Sequence, residues 1–159
     1  MGPWQPTQAE VGTVDVFVVR QATTGLEVLV MRRAPGMRCA GAWEVIHGRI
    51  ETGERPEDAA LRETSEETGL HVQRLYSVRC LPFYVLKQQR VNIAVVFAAF
   101  VAPTADITLG EEHTDSEWLP FAEAAERLAW PSARDSLRDI QQLLGSGDAG
   151  PLEDVLRAR

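Results

Sequence analysis

The chain alternates short apolar runs with polar stretches, and the rhythm changes along its length. Val14–Val19 and Glu27–Arg33 are rich in β-branched residues and are parted by "QATTGL", which predicts a pair of strands. "APGMRCAGA" (Ala34–Ala42), punctuated by Pro and Gly, predicts a loop, and "WEVIHGRI" a short extended piece after it. The acidic stretch that follows predicts a helix over Pro56–Thr68. Pro suits its first position, Glu57 and Asp58 suit its positive end and Gly69 is a natural stop, whereas Arg55 is a poor N-cap. Two strands are expected next, Val72–Leu86 with an interruption at Pro82 and Arg90–Val101, turning at "KQQ". "SEWLP" predicts one more short strand, followed by helices at Phe121–Ala129 and Ser132–Leu144.

Strands interleaved with helices predict an α/β or α+β fold, one mixed sheet covered by helices. No repeat or low-complexity segment breaks the pattern. One domain is expected over 11–144, with 1–10 as an N-terminal extension. "GSGDAGP" reads as a linker, so 145–159 is expected to be a flexible tail with one or two helical turns in "LEDVLRAR", either disordered or covering a neighbouring surface.

Composition narrows the partners. At 159 residues and 45% hydrophobic, the chain suits one well-packed domain. Its 16 basic residues against 23 acidic ones leave a net charge of −7, the wrong sign for gripping a nucleic acid polymer by its phosphates. A small phosphorylated ligand is compatible with that charge when a metal ion supplies the positive end. Cys39 and Cys80 form no CxxC or Cys/His pattern, so neither a zinc site nor a disulfide framework is expected. "MGPWQPTQAEVG" lacks a basic segment followed by an apolar one, and the longest apolar runs are too short to span a bilayer. The expectation is a soluble, cytoplasmic protein.

The candidate chemistry lies in "GRIETGERPEDAALRETSEETGL", Gly48 to Leu70. On the predicted helix Glu63 and Glu67 share a face, with Glu66 flanking them and the small Ala59 and Ala60 one turn earlier. Like charges so spaced repel by roughly 0.2–0.5 kcal/mol per pair, and Arg62 alone does not neutralise three carboxylates. A solvated acidic helix should show an apolar stripe opposite its charges, yet the opposite side carries Leu61, Ser65 and Thr68. Hard oxygen donors on one face suit Mg²⁺ or Mn²⁺.

The same residues resemble the Nudix box, G-x5-E-x7-R-E-U-x-E-E-x-G-U with U a bulky aliphatic residue. Gly48, Glu54, Arg62, Glu63, Glu66, Glu67, Gly69 and Leu70 match, and Thr64 departs where an aliphatic residue is usual. Thr64 is expected to weaken the local core without affecting the chemistry. "VIHG" stands where many relatives have Pro-Gly-Gly, which puts His47 beside the site and within reach of a substrate.

The resemblance implies the Nudix fold, an α/β/α sandwich around a mixed β-sheet, and cleavage of a phosphoanhydride with Mg²⁺ or Mn²⁺. It implies Glu63, Glu66 and Glu67 as metal ligands, joined by the Gly48 carbonyl, with Glu63 and Glu67 catalytic. Glu54 would approach from the loop toward substrate, and Arg62 would hold the carboxylates in place. A looser likeness from "EEH" through "EWL" is to the branch that hydrolyses dATP and dihydroneopterin triphosphate. It implies Glu112 as a further metal ligand and Arg32 as a phosphate contact.

Trp43 and Trp118 read as packing, whereas Phe83, Tyr84 and Trp130 near loop edges are candidates to stack a base. Diadenosine polyphosphate hydrolases of the family carry a Tyr further beyond the box, where this chain has "LKQQ", which counts against that branch. The implied activity is a pyrophosphohydrolase acting on a nucleoside or pterin triphosphate. The alternatives are nucleoside diphosphate sugars, dinucleotide polyphosphates, or a nucleotide-binding module without catalysis. A homodimer is open, with no interface marked in the sequence.

Overall fold

The structure, a computed structural model, describes residues 3–159 and is organised around a seven-stranded mixed sheet. Its strands are β1 (Ala9–Ala22), β2 (Gly25–Arg33), β3 (Trp43–Glu44), β4 (Ile46–Arg49), β5 (Val72–Val85), β6 (Arg90–Val101) and β7 (His113–Pro120). The order is β3-β2-β1-β6-β5, with β4 pairing β1 and β7 pairing β2. β1 and β6 run parallel and the other pairs antiparallel. β1 outruns the apolar core Val14–Val19 because it serves two partners on one edge. Thr13–Val16 pairs with β4, and Val19–Ala22 pairs with β2.

Alternation along the strands builds a core on each side. Val14, Val16 and Val18 pack with Leu29, Met31, Phe97 and the small Ala59 and Ala60 of helix α1 (Pro56–Thr68). Phe17, Val19, Val96 and Phe100 pack instead with Leu137, Ile140 and Leu144 of helix α3 (Pro131–Leu144), joined by helix α2 (Phe121–Arg127). The result is the expected α/β/α sandwich.

α1 has the predicted bounds. Pro56 opens it, Arg55 makes no capping hydrogen bond, and Gly69 closes it at φ 68° with its N–H donating to the Ser65 carbonyl. Thr64 is fully buried, and its hydroxyl donates to the Ala60 carbonyl at 2.7 Å, so the polar group enters the core satisfied. α2 stops two residues short of expectation, and α3 begins one residue earlier on Pro131, which suits a first helical turn. β7 begins three residues earlier than "SEWLP", because Arg33 pairs with His113 across a register shift.

Two expectations are corrected. β5 is not interrupted at Pro82, which pairs with Ile93; β5 ends the sheet order, where a missing N–H is tolerated. The C-terminal residues are not a loose tail. A 3-10 turn (Gly150–Leu152) and helix α4 (Glu153–Leu156) lead to residues that hydrogen bond with β5. The Ala158 N–H donates to the Leu75 carbonyl at 2.7 Å and the Leu75 N–H to the Arg159 carbonyl at 3.1 Å. An edge strand offers unpaired backbone groups, and these residues occupy them. The buried Tyr76 adds a reason, since its hydroxyl finds an acceptor in Glu153 at 3.0 Å.

Candidate active site

α1 and the loop before β7 bring the acidic residues together. The Gly110 N–H donates to the Glu67 carbonyl and the Thr108 N–H to the Thr68 carbonyl, tying the loop to the end of α1. Glu112 is thereby close enough to Glu63 and Glu67 to act on both electrostatically. On the other flank Glu63 rests against the bare backbone of Gly48 in β4.

Arg62 organises the outer half of this cluster. Its Nε and Nη2 donate to the two Glu54 oxygens at 2.8 and 3.0 Å, a bidentate fork. Its Nη1 donates to Glu63 at 2.8 Å and Glu66 at 3.3 Å, and Nη2 also donates to the Arg49 carbonyl at 2.9 Å. Glu54 therefore spends both oxygens on Arg62, and those bonds, with the Glu51 N–H, hold its carboxyl at about 2.

Glu67 occupies the inner half and is the outlier. Its Oε2 is buried without a hydrogen-bond partner. Burial first, then the charges of Glu63, Glu112 and Glu44, push its carboxyl up to about 8. Glu63 is raised too, by burial and by Glu66 and Glu112, against the opposing pull of Arg62.

Beneath Glu67 lies a polar group that sequence reading missed. Glu44 of β3 accepts from Arg33 Nη1 at 2.7 Å, and His113 Nε2 stands 3.0 Å from the same oxygen. Burial alone would raise Glu44, but hydrogen bonds from His113 and Arg33 carry it below its usual range. These residues come from three strands, and no spacing links them in the chain. The available signal was a charged or polar residue at one end of each of three strand segments, closing β2 and β3 and opening β7.

Arg32 and His47 stand apart from the carboxylates. Alternation turns both to the face away from α1, since Gly48 meets Glu63 while its neighbour His47 pairs with Asp15. His47 Nδ1 lies 2.5 Å from Asp15 Oδ1, a contact that raises the imidazole pKa, and its ring is 6.3 Å from that of Phe83. Arg32 is half-exposed, 4.0 Å from Asp115. Trp43 and Trp118 carry Arg127 and Arg20 on their faces at 4.7 and 4.4 Å, whereas Tyr84 and Trp130 are exposed.

Among the described residues no three His, Cys, Asp or Glu side chains converge tightly enough to hold an ion as they stand. Glu63 and Glu66 are turned to Arg62 and Glu67 is turned inward. The donor set nevertheless fits a divalent cation. It holds hard oxygens, mutually repelling carboxylates and an orphaned buried oxygen on Glu67, each of which a positive ion would relieve.

A mixed sheet between helices, with an Arg-clamped glutamate cluster on the helix beside it, presents an acidic surface suited to a cation rather than to a polyanion. The chain belongs to the Nudix family: the NUDIX domain model matches residues 10–140. It is 28% identical over 136 residues to the mouse bis(5'-nucleosyl)-tetraphosphatase (asymmetrical), spanning 84% of this chain and 90% of that protein. An octanoyltransferase of Myxococcus xanthus is 35% identical over 134 residues, 79% of this chain, and this chain spans about a third of its length (35%). Among solved structures, the E. coli dihydroneopterin triphosphate pyrophosphohydrolase superposes with a TM-score of 0.66 at 26% identity, covering 82% of this chain and 92% of that one.

Proposed function

We propose that this Nudix pyrophosphohydrolase acts on a nucleoside or pterin triphosphate, with Mg²⁺ or Mn²⁺ as cofactor and water as the attacking group. The observation that carries the reading is Glu67, a buried carboxyl with one unpartnered oxygen, crowded by Glu63 and Glu112. In this reading Glu63, Glu66, Glu67 and Glu112, with the Gly48 carbonyl, hold the cation. The bound cation supplies charge neutralisation for the phosphates and lowers the pKa of water. Glu63 or its neighbour Glu67 takes up the proton of the attacking water as general base.

Arg62 keeps the outer carboxylates aimed, with Glu54 as its counterweight. On the face of the sheet turned away from α1, Arg32 of β2 meets the phosphates and His47 of β4 the substrate, with Phe83 beside it as a stacking surface. Phosphoryl transfer asks for this kind of positioning and charge more than for covalent chemistry. A cytoplasmic setting and a small nucleotide-like substrate belong to the same reading. No helix among the described residues is long and apolar enough to cross a membrane.

A second reading, a dinucleoside polyphosphate as substrate, is favoured by the mouse tetraphosphatase relative, 90% of whose length this chain covers. The triphosphate reading draws support from the E. coli pyrophosphohydrolase fold and its 26% identity. A panel assay separates them. Wild-type protein with Mg²⁺ is given dATP, the other nucleoside triphosphates, dihydroneopterin triphosphate, nucleotide sugars, ADP-ribose and diadenosine tetraphosphate. Preferred turnover of one triphosphate supports the first reading. Preference for the dinucleotide replaces it with the second.

A further inference from the structure

His113 has no place in the reading above, yet it is the most buried ionisable side chain near the carboxylates, with 1% of its side chain exposed. It opens β7 one residue after Glu112, and its backbone pairs with Arg33. The ring is fixed from one side. Nε2 stands 3.0 Å from Glu44 Oε1, an oxygen that also accepts from Arg33. A carboxylate so paired only accepts, so Nε2 carries a hydrogen and points it at Glu44.

The other nitrogen faces the helix. Nδ1 is 3.8 Å from Glu67 Oε2, just beyond hydrogen-bond length. These two atoms are the buried side-chain polar atoms without partners among the described residues, and they face each other. Buried polar atoms are rarely left unpaired, and two adjacent orphans point to a hydrogen bond that forms when the site is engaged, with Nδ1–H donating to the Glu67 carboxylate as Nε2–H donates to Glu44. A small turn of the Glu67 side chain closes the gap, while Glu44 and Arg33 keep the ring from following.

We infer that His113, locked by Glu44 and Arg33, is a positioning residue for Glu67, gripping its inner oxygen so that the carboxylate presents a fixed face to the cluster. Support behind a metal-facing side chain typically changes metal affinity or activity by about 10–100-fold when removed. The inference rests on the role proposed for Glu67 and extends it to three residues outside the box.

The test uses full-length His113→Asn, His113→Gln and His113→Leu. The Asn amide stands where Nδ1 stands and still reaches Glu67; the Gln amide stands near Nε2 and reaches Glu44 instead. Mn²⁺ alone is titrated calorimetrically into substrate-free protein, and kcat and KM are measured on the best substrate of the panel. His113→Leu and His113→Gln are expected to bind Mn²⁺ about 10–100-fold more weakly and to lose kcat in the same range, with KM little changed. His113→Asn should recover much of both. Equal Mn²⁺ affinity and kcat across the wild type and folded variants would overturn the inference, as would Asn behaving no better than Gln. The Asn–Gln comparison decides even when the Leu variant does not fold.

Glu67→Gln, measured alongside, keeps two failures distinct. Retained turnover there overturns the reading of Glu67 and this inference with it. A dead Glu67→Gln with wild-type behaviour in every His113 variant overturns only the role of His113.

Discussion

A methyl group placed on Gly48 would sit 2.2 Å from the Glu63 carboxyl carbon and 2.3 Å from its Cγ. Gly48 is thus required by the side chain it shelters. Its φ lies outside the left-handed region, so its backbone conformation is open to other residues. Gly48→Ala should therefore fold, with an unchanged far-UV spectrum, and displace Glu63. Displacing a catalytic group by about 1 Å costs on the order of 10²-fold in rate, which is the fall in kcat expected here. Steady-state kinetics checks it.

Glu67 makes the stability of the metal-free protein depend on pH. Its folded pKa of about 8 lies above the ordinary carboxylate value near 4.5. A raised carboxyl stabilises the fold fully below the unfolded value, and that stability is lost as pH rises through about 8. In EDTA, Tm should therefore fall between pH 5 and pH 8, and Glu67→Gln should flatten that part of the profile. A cation that binds the ionised form reverses the sign, so Mg²⁺ should raise Tm most at the alkaline end and release protons as it binds. Differential scanning fluorimetry across pH, with and without Mg²⁺, reads both effects.

Arg62 donates to Glu54, Glu63, Glu66 and the Arg49 carbonyl at once. Lysine keeps the charge and loses the planar fork. Arg62→Lys should lower kcat by about tenfold or more, since one ammonium group cannot hold all four acceptors in place. KM for the substrate should change less, because Arg62 faces the carboxylates and not the opposite side of β4. A kcat/KM dissection distinguishes this from a binding defect.

The docked C-terminus predicts a purely structural effect. The Tyr76 hydroxyl donates to Glu153 and accepts from Arg74 Nη1, both at 3.0 Å. Tyr76→Phe should cost about 1 kcal/mol, a Tm lower by about 2–4 °C in a domain of this size. Activity at 25 °C should be unchanged, because the contact lies on β5, away from the carboxylate cluster.

What could be read from the chain follows from where the information sits. The box from Gly48 to Leu70 is local, so its helix, its closing Gly69 and its paired carboxylates were legible from spacing alone. The sheet faces were legible wherever alternation was clean, as in Val14–Val19. The uninterrupted run of β5 through Pro82 was not, because edge position is a property of the whole sheet. Likewise "LEDVLRAR" gives no local sign of a partner; it docks because Leu75 and Tyr76 leave backbone and hydroxyl groups to satisfy. Arg33, Glu44 and His113 were overlooked for a similar reason. They lie 11 residues or more apart in every pairing that matters, and only the folded sheet makes them neighbours.

The central claim is that the glutamates of α1 form a cation-dependent hydrolytic centre. The most direct measurement is the release of phosphate and pyrophosphate from the preferred substrate by wild type, Glu63→Gln and Glu67→Gln, each in Mg²⁺ and in EDTA. The account predicts turnover by the wild type in Mg²⁺ alone, and a loss of about 10²–10⁴-fold in each variant with the fold intact. Turnover in EDTA equal to that in Mg²⁺, or a fully active Glu67→Gln, would contradict it.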